Sequence, residues 1–254
     1  MIDIHTHISE YEETEIIQII KRAQSAGVKN IISASTTINS CAKSLLLSKQ
    51  FDIIYSGIGL HPMDLTNPIN EKILTKLESF CKTSNKVVTI SEIGLDFLEN
   101  MPDRKIQYDA FREQIKLSVR LNLPIIFHSR NADIETLRIL KEEQAYKVGG
   151  AMHYFQSDID IANKVIDLGF HISIAKPLLN NTVLQETVKQ IPLNNIVLET
   201  DAAPQPFKKN REKWTEPRHL YNISKKLSEI LNQDLHEIQK ITYENSYKML
   251  NKIY

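Results

Sequence analysis

Strand-like and helix-like segments alternate along this chain almost without a break, and that alternation limits the folds open to it more than any other feature. Apolar and β-branched runs at residues 1–5, 30–35, 53–58, 86–90, 123–128, 149–153, 170–174 and 195–200 read as eight strands. Between them, residues 13–25 place Ile16, Ile17, Ile20 and Ala23 on one side of a helix. A longer helix over 105–121 carries Tyr108, Phe111, Ile115 and Val119 at helical spacing. Further helices are expected at 42–49, 71–82, 159–168 and 183–189, and everything from Pro217 onward is expected to be helical. Eight strands alternating with helices, without a linker or low-complexity tract, predict one (β/α)8 barrel domain over residues 1–254. A doubly wound open sheet is the alternative. The nucleotide loop that often goes with it is missing, because the 7 glycines form neither GxGxxG nor a Walker motif.

The strand ends carry the chemistry. In Asp3-Ile4-His5-Thr6-His7 the two histidines alternate along an extended segment and so share a face, which lets them grip one metal ion together. Glu92, His128, His153 and Asp201 each follow a short apolar run in the same way. Taken singly, each is also explained as a half-buried histidine or a solvated strand-end carboxylate. Catalytic groups in a barrel project from the C-terminal strand ends, and all six residues fall there. The expected metal ligands are therefore His5, His7, Glu92, His128, His153 and Asp201. Glu92 is the natural bridge if two divalent ions bind, and Asp201 can both hold an ion and accept a proton from water. Gly94, two residues after Glu92, is expected to turn the backbone sharply over the barrel mouth.

Charge and cysteine content exclude some classes. Lysine plus arginine and aspartate plus glutamate are 31 each, so any attraction to nucleic acid has to be local. Cys41 and Cys81 have neither zinc-ribbon nor redox spacing and read as reduced residues of helices, as in a cytoplasmic protein. No basic leader and no long apolar stretch suggests a signal peptide or membrane span. The oligomeric state is not legible, and a monomer is assumed.

In order along the chain come Asp3-Ile4-His5-Thr6-His7, Ile58-Gly59-Leu60-His61-Pro62, Ser91-Glu92-Ile93-Gly94-Leu95-Asp96, Pro124-Ile125-Ile126-Phe127-His128-Ser129-Arg130 and Leu198-Glu199-Thr200-Asp201. This ordered set resembles the TatD-type metal-dependent deoxyribonucleases, a branch of the amidohydrolase-like barrel hydrolases, over essentially the whole chain. The resemblance implies hydrolysis of DNA phosphodiesters, exonucleolytic at DNA ends, with two divalent ions such as Mg²⁺, Mn²⁺ or Zn²⁺. It implies that His5, His7, Glu92 and Asp201 hold one ion, and Glu92, His128 and His153 the other. Glu92, Asp201 and His61 are then the catalytic residues, His61 lying beside the scissile phosphate and outside the ligand set. Departures fall at the rim: Tyr154-Phe155-Gln156-Ser157 replaces a small, glycine-containing loop, and Ala202-Ala203-Pro204 is one residue longer than usual. Ile8-Ser9-Glu10 also differs from the frequent Leu-Asp after the second histidine.

Substrate contacts are expected from three places. His61 is one and Arg130, able to clamp a phosphate or to pair with a carboxylate such as Asp133, is another. The third is the basic stretch Lys208-Lys209-Asn210-Arg211-Glu212-Lys213-Trp214, where Lys208 and Arg211 could neutralise phosphates while Trp214 stacks on a base. A solvated loop with Trp214 packed on the barrel rim explains the same stretch equally well. Rival functions on such a barrel are a small-molecule amidohydrolase or lactonase and an aminoacyl-tRNA deacylase. A histidinol-phosphatase-type phosphoesterase and a non-enzymatic, metal-dependent nucleic-acid binder complete the set. Glu92 stands where many amidohydrolases carry a carboxylated lysine, and Asp201-Ala202-Ala203 lacks the Asp-X-His pair of the phosphatase type.

Overall fold

The computed structural model describes residues 1–251. Its eight strands are β1 Ile2–Thr6, β2 Asn30–Ser33, β3 Ile54–Gly57, β4 Val87–Asp96, β5 Ile125–Arg130, β6 Gly150–Met152, β7 Phe170–Ile174 and β8 Ile196–Leu198. They pair in sequence order, each parallel to the next. The sheet closes on itself: the His7 N–H donates to the Ala202 carbonyl at 2.8 Å, and the Asp201 N–H donates to the His5 carbonyl at 3.1 Å. A bridge between Thr6 and Ala202 marks the same seam. The expected barrel is thus the observed architecture, and the open sheet is excluded.

Helices cover the outside. These are α1 Glu13–Ser25, α2 Ile38–Gln50, α3 Glu71–Thr83, α4 Arg104–Leu121, α5 Asp133–Glu142, α6 Ile159–Asp167, α7 Thr182–Val188, α8 Leu220–Leu231 and α9 Leu235–Leu250. Phe127 and Leu198 join the main core between strands and helices. Their neighbours His128 and Glu199 point the other way, as the two-residue period of a strand requires. A smaller cluster joins Met249 and Leu250 of α9 to Ile2, Ile4, Tyr55 and Val197. Cys41 and Cys81 are buried in α2 and α3. No helix among the described residues is long and apolar enough to cross a membrane.

Four sequence expectations need correction. Residues 133–142, outside the expected helices, form α5; its N-cap is Ala132, which supplies no side-chain cap and so no start signal. α2 begins four residues earlier than residue 42, because Thr37 and Ser40 form a capping box that fixes its first turn. The segment from Pro217 is not one continuous helix. Asn232 takes a left-handed conformation that ends α8, and the Asp234 carboxylate caps α9 by accepting from His236 and Glu237 N–H; the expectation for residues 252–254 lies outside the described residues. Finally, β4 does not stop near Glu92 but runs on to Asp96.

Gly94 accordingly makes no turn over the mouth. It stays inside β4 at φ +150°, and a Cβ there would lie 1.9 Å from the His128 carbonyl oxygen. Glycine is needed because the backbones of β4 and β5 approach closely at the level of His128. Gly150 repeats the device one strand pair on, with a hypothetical Cβ 1.8 Å from the Ile125 carbonyl oxygen. Gly94→Ala should therefore force β4 from β5. We expect a loss of more than about 3 kcal/mol of unfolding free energy in denaturant titration, and an unchanged midpoint would refute the close-approach account.

Candidate metal centre

The side chains at the mouth assemble around one carboxylate. Glu92 projects from β4, is 3% exposed, and turns its two oxygens to different partners. Oε2 lies 3.3 Å from His5 Nε2 and 3.5 Å from His7 Nε2, and His7 Nε2 in turn lies 3.3 Å from Asp201 Oδ1. Oε1 lies 3.0 Å from His128 Nδ1, 3.3 Å from His61 Nε2 and 3.5 Å from His153 Nε2. All six expected ligands and His61 are thus brought to one place. His5 comes from β1, His128 from β5, and His7, His61, His153 and Asp201 from the segments just after β1, β3, β6 and β8.

The spacing suits metal ions. Ligand atoms about 2.1 Å from an ion stand roughly 3.0–3.4 Å from one another in octahedral or tetrahedral geometry. The nitrogen-to-oxygen distances around Glu92 fall in or next to that range. His5 Nε2 is moreover buried without a hydrogen-bond partner, a state that a metal bond would relieve. The donor set of imidazole nitrogens and carboxylate oxygens suits Zn²⁺ or Mn²⁺, and carboxylates also serve Mg²⁺.

The outer neighbours of each ring determine which nitrogen can bind. His153 Nδ1 faces Glu199 Oε1 at 2.8 Å, so its proton sits there and Nε2 offers a lone pair toward Glu92. His128 Nε2 faces Asp96 Oδ2 at 3.1 Å, which leaves Nδ1 as the donor atom. His61 is the opposite case. Its Nδ1 accepts from the Met63 N–H at 3.0 Å, so the proton of the neutral ring lies on Nε2. That nitrogen can donate a hydrogen bond but not a lone pair, although it stands as close to Glu92 as the others do.

Glu199 and Asp96 are the functional residues that sequence reasoning passed over. Glu199 is fully buried and accepts from Ser173 Oγ at 2.6 Å and from the Tyr154 N–H at 2.9 Å. Asp3, also fully buried, ties β1 to the segment after β8 by accepting from the Thr200 N–H at 2.9 Å and Thr200 Oγ1 at 2.5 Å. Strand parity was the available signal: Glu199 and Asp201 alternate as do His5 and His7, and Asp96 lies four residues after Glu92.

The rim residues behave differently. Arg130 is exposed, lines the cavity of about 610 Å³ above Glu92, and pairs with Asp96 at 3.5 Å, not with Asp133. Asp133 instead accepts from Ser129 Oγ at 2.5 Å. Lys208, Arg211 and Trp214 do not line that cavity. Arg211 donates to Glu15 Oε1 at 2.7 Å and to Glu216 Oε1 at 3.0 Å, and its guanidinium lies 4.6 Å from the Trp214 ring. Trp214 donates to the Lys208 carbonyl at 3.3 Å, and Lys208 Nζ donates to Gln205 Oε1 at 2.5 Å. Trp214 is partly buried against the main core, so the packed-rim alternative describes this loop.

Electrostatics couple metal uptake to protons. Burial would raise the Glu92 carboxyl, yet His61, His153, His5 and His128 hold it well below the usual carboxylate range. Asp201 is likewise held low, since His7, His153 and His5 outweigh its burial. Burial would lower His153, but Glu199 and Glu92 raise it to about 9. His7 and His128 rise for the same reason, through Asp201, Glu92 and Asp96. Without a cation His7 and His153 carry protons at neutral pH, and a metal must displace them. Apparent affinity should therefore climb with pH by about tenfold per unit for each displaced proton, and the contribution of His153 should level off above pH 9. Calorimetric titration with Mn²⁺ in buffers of different ionisation enthalpy checks this. Uptake without proton release at pH 7 would contradict it.

The comparisons with known proteins agree with this geometry. The family model described as TatD related DNase matches residues 2–251. The metal-dependent hydrolase BU355 of Buchnera aphidicola subsp. Acyrthosiphon pisum is 33% identical, over 99% of both chains. The metal-dependent hydrolase YabD of Bacillus subtilis is 32% identical, over 98% of each. The crystal structure of YjjV, a TatD homolog from Escherichia coli K12, superposes with a TM-score of 0.90 at 27% identity, covering 99% of this chain and 98% of that one. With the barrel, the histidine–carboxylate cluster and full-length similarity all in agreement, this chain is a member of the TatD family of metal-dependent hydrolases.

Proposed function

We propose that this protein hydrolyses phosphodiester bonds of DNA, from strand ends, with two divalent ions bridged by Glu92. The observation that carries the proposal is the division of the Glu92 carboxylate, whose Oε2 faces His5 and His7 while Oε1 faces His128 and His153. In this reading His5, His7, Glu92 and Asp201 hold one ion, and Glu92, His128 and His153 the other. The family description as a DNase supports DNA as the substrate class. Residues 1–254 would act as one catalytic domain in the cytoplasm.

Divalent ions held by these residues would supply Lewis acidity for water and for the phosphoryl oxygens. The protein's own residues do the rest. Asp201 is ionised, its side chain is 29% exposed at the cavity, and it is placed to take the proton of the attacking water. His61 presents its Nε2 proton at the floor of the same cavity and donates to a phosphate oxygen. Arg130 on the cavity wall holds a substrate phosphate by a charge-assisted hydrogen bond. The buried rings fix these groups before substrate arrives, so little reorganisation accompanies the reaction.

Two measurements test the reading. Glu92→Gln keeps size but removes the charge between the two ligand groups, so metal content per chain should drop by one ion. Cleavage of a labelled oligonucleotide should fall by at least about two orders of magnitude. Full metal occupancy with wild-type cleavage would reduce Glu92 to an ordinary buried carboxylate. The second measurement separates the two arginines. Arg130→Ala should raise KM about tenfold, the loss of one charged contact. Arg211→Ala should leave KM alone and lower thermal stability, because it strips Glu216 and Glu15 of a partner. The reverse pattern would return the basic loop to the substrate.

A further inference from the structure

The ligand cluster opens on two cavities. The larger, already described, runs toward β5 and β6 and contains Arg130. The second, of about 520 Å³, runs toward the N-terminal end of α2, and His7, His61, Met63 and Glu92 line both. Ser9, Thr36, Ser40 and Lys43 line it together with Glu10 and Asp64. None of these six has a part in the chemistry above. Since Glu92 lies at the floor of both cavities, a substrate chain reacting there has room on either side of the reacting bond.

We propose that this second cavity is the subsite for the phosphate adjacent to the scissile one, with Lys43 as its cation. This rests on the nuclease reading of the site. Three observations converge on an anion. Lys43 is exposed and has no ion pair or side-chain hydrogen bond among the described residues. It stands one turn after Ser40 on the same face of α2. The first turn of that helix adds N–H donors and a positive field, because the Thr37–Ser40 capping box uses the Ser40 N–H and leaves those of Ile38 and Asn39. Ser9, 5% exposed, lines the cavity with its Oγ buried and unpartnered, a group that gains a hydrogen bond when an acceptor enters.

The same cavity also carries negative charge. Glu10 and Asp64 repel a second phosphate and accept from hydroxyl or amino groups. The occupant is therefore a nucleotide, with its phosphate against α2 and its sugar or base toward Glu10 and Asp64. With Arg130 on the far side of Glu92, the protein has one cation flanking the reaction centre in each direction. A single-stranded chain lies across both, whereas a lone phosphomonoester fills only one.

The test uses the metal-loaded protein and short oligodeoxythymidylates in which one linkage at a time is an uncharged methylphosphonate. Binding is read by fluorescence anisotropy and turnover by gel. At one linkage beside the scissile position the wild type should lose about tenfold in affinity, the size of one charged contact. Lys43→Ala should lose a similar factor on all-phosphate DNA, show no further loss from that one substitution, and keep its sensitivity at other linkages. Its salt dependence should flatten by about one counterion, and Lys43→Arg should restore affinity. Lys43 is exposed, so the variants should fold normally. If Lys43→Ala binds like the wild type, or still responds to every methylphosphonate, the subsite is refuted. Failure of every protein form to cleave the all-phosphate DNA would overturn the nuclease reading instead, and the anisotropy comparison would still decide the subsite.

Discussion

The structure depends on burying one carboxylate among imidazoles. An isolated ionised carboxylate is strongly disfavoured in a protein interior, so Glu92 is stable as an anion only because rings surround both of its oxygens. Those rings come from segments far apart in the chain, and the barrel is what gathers them. The seam is part of the same arrangement: the Asp201 N–H and the His7 N–H make the hydrogen bonds that join β1 to the segment after β8. The residues that close the barrel are thus also expected to hold the ions. Gly94, by allowing β4 to lie close against β5, keeps Glu92 and His128 within reach of each other.

A second layer of acids gives the rings different tasks. Glu199 and Asp96 fix the protons of His153 and His128 on their outward nitrogens and free the inward ones. His61 has a backbone N–H where those rings have a carboxylate, so its proton points inward. Three histidines at similar distance from Glu92 therefore split into two lone-pair donors and one proton donor. This division depends on the atom behind each ring and not on the ring itself. It also explains why the site carries so many acids: three buried carboxylates at Glu92, Asp96 and Glu199, with the partly exposed Asp201 beside them, create a deficit of positive charge that protons or cations must fill.

The rim shows how charge density can mislead. The densest basic stretch of the chain includes Arg211, but Glu15 and Glu216 already occupy its guanidinium and Trp214 stacks beside it. Arg130 and Lys43 stand alone in basic content, yet both line cavities that share the Glu92 floor. What counts for a polyanionic substrate is a cation that lines the cavity beside the reacting atoms, not the local density of basic residues.

The sequence by itself determined the barrel and singled out six candidate ligands that the fold brings to one place. Both are written in local patterns: the switch between two-residue and 3.6-residue periods marks strands and helices, and a polar residue at the end of an apolar strand marks the mouth of the barrel. His5 and His7 could be paired from one strand's geometry alone. Only the tertiary structure decided that Gly94 serves close packing and not a turn, since the His128 carbonyl that it meets lies on another strand. Likewise the support of His153 by Glu199 and the internal role of Arg211 depend on partners 46 and up to 196 residues away along the chain. A local pattern reports which face a side chain takes. Which atom waits on that face is set by how distant segments pack, and that is where ligand, proton donor and structural cation part ways.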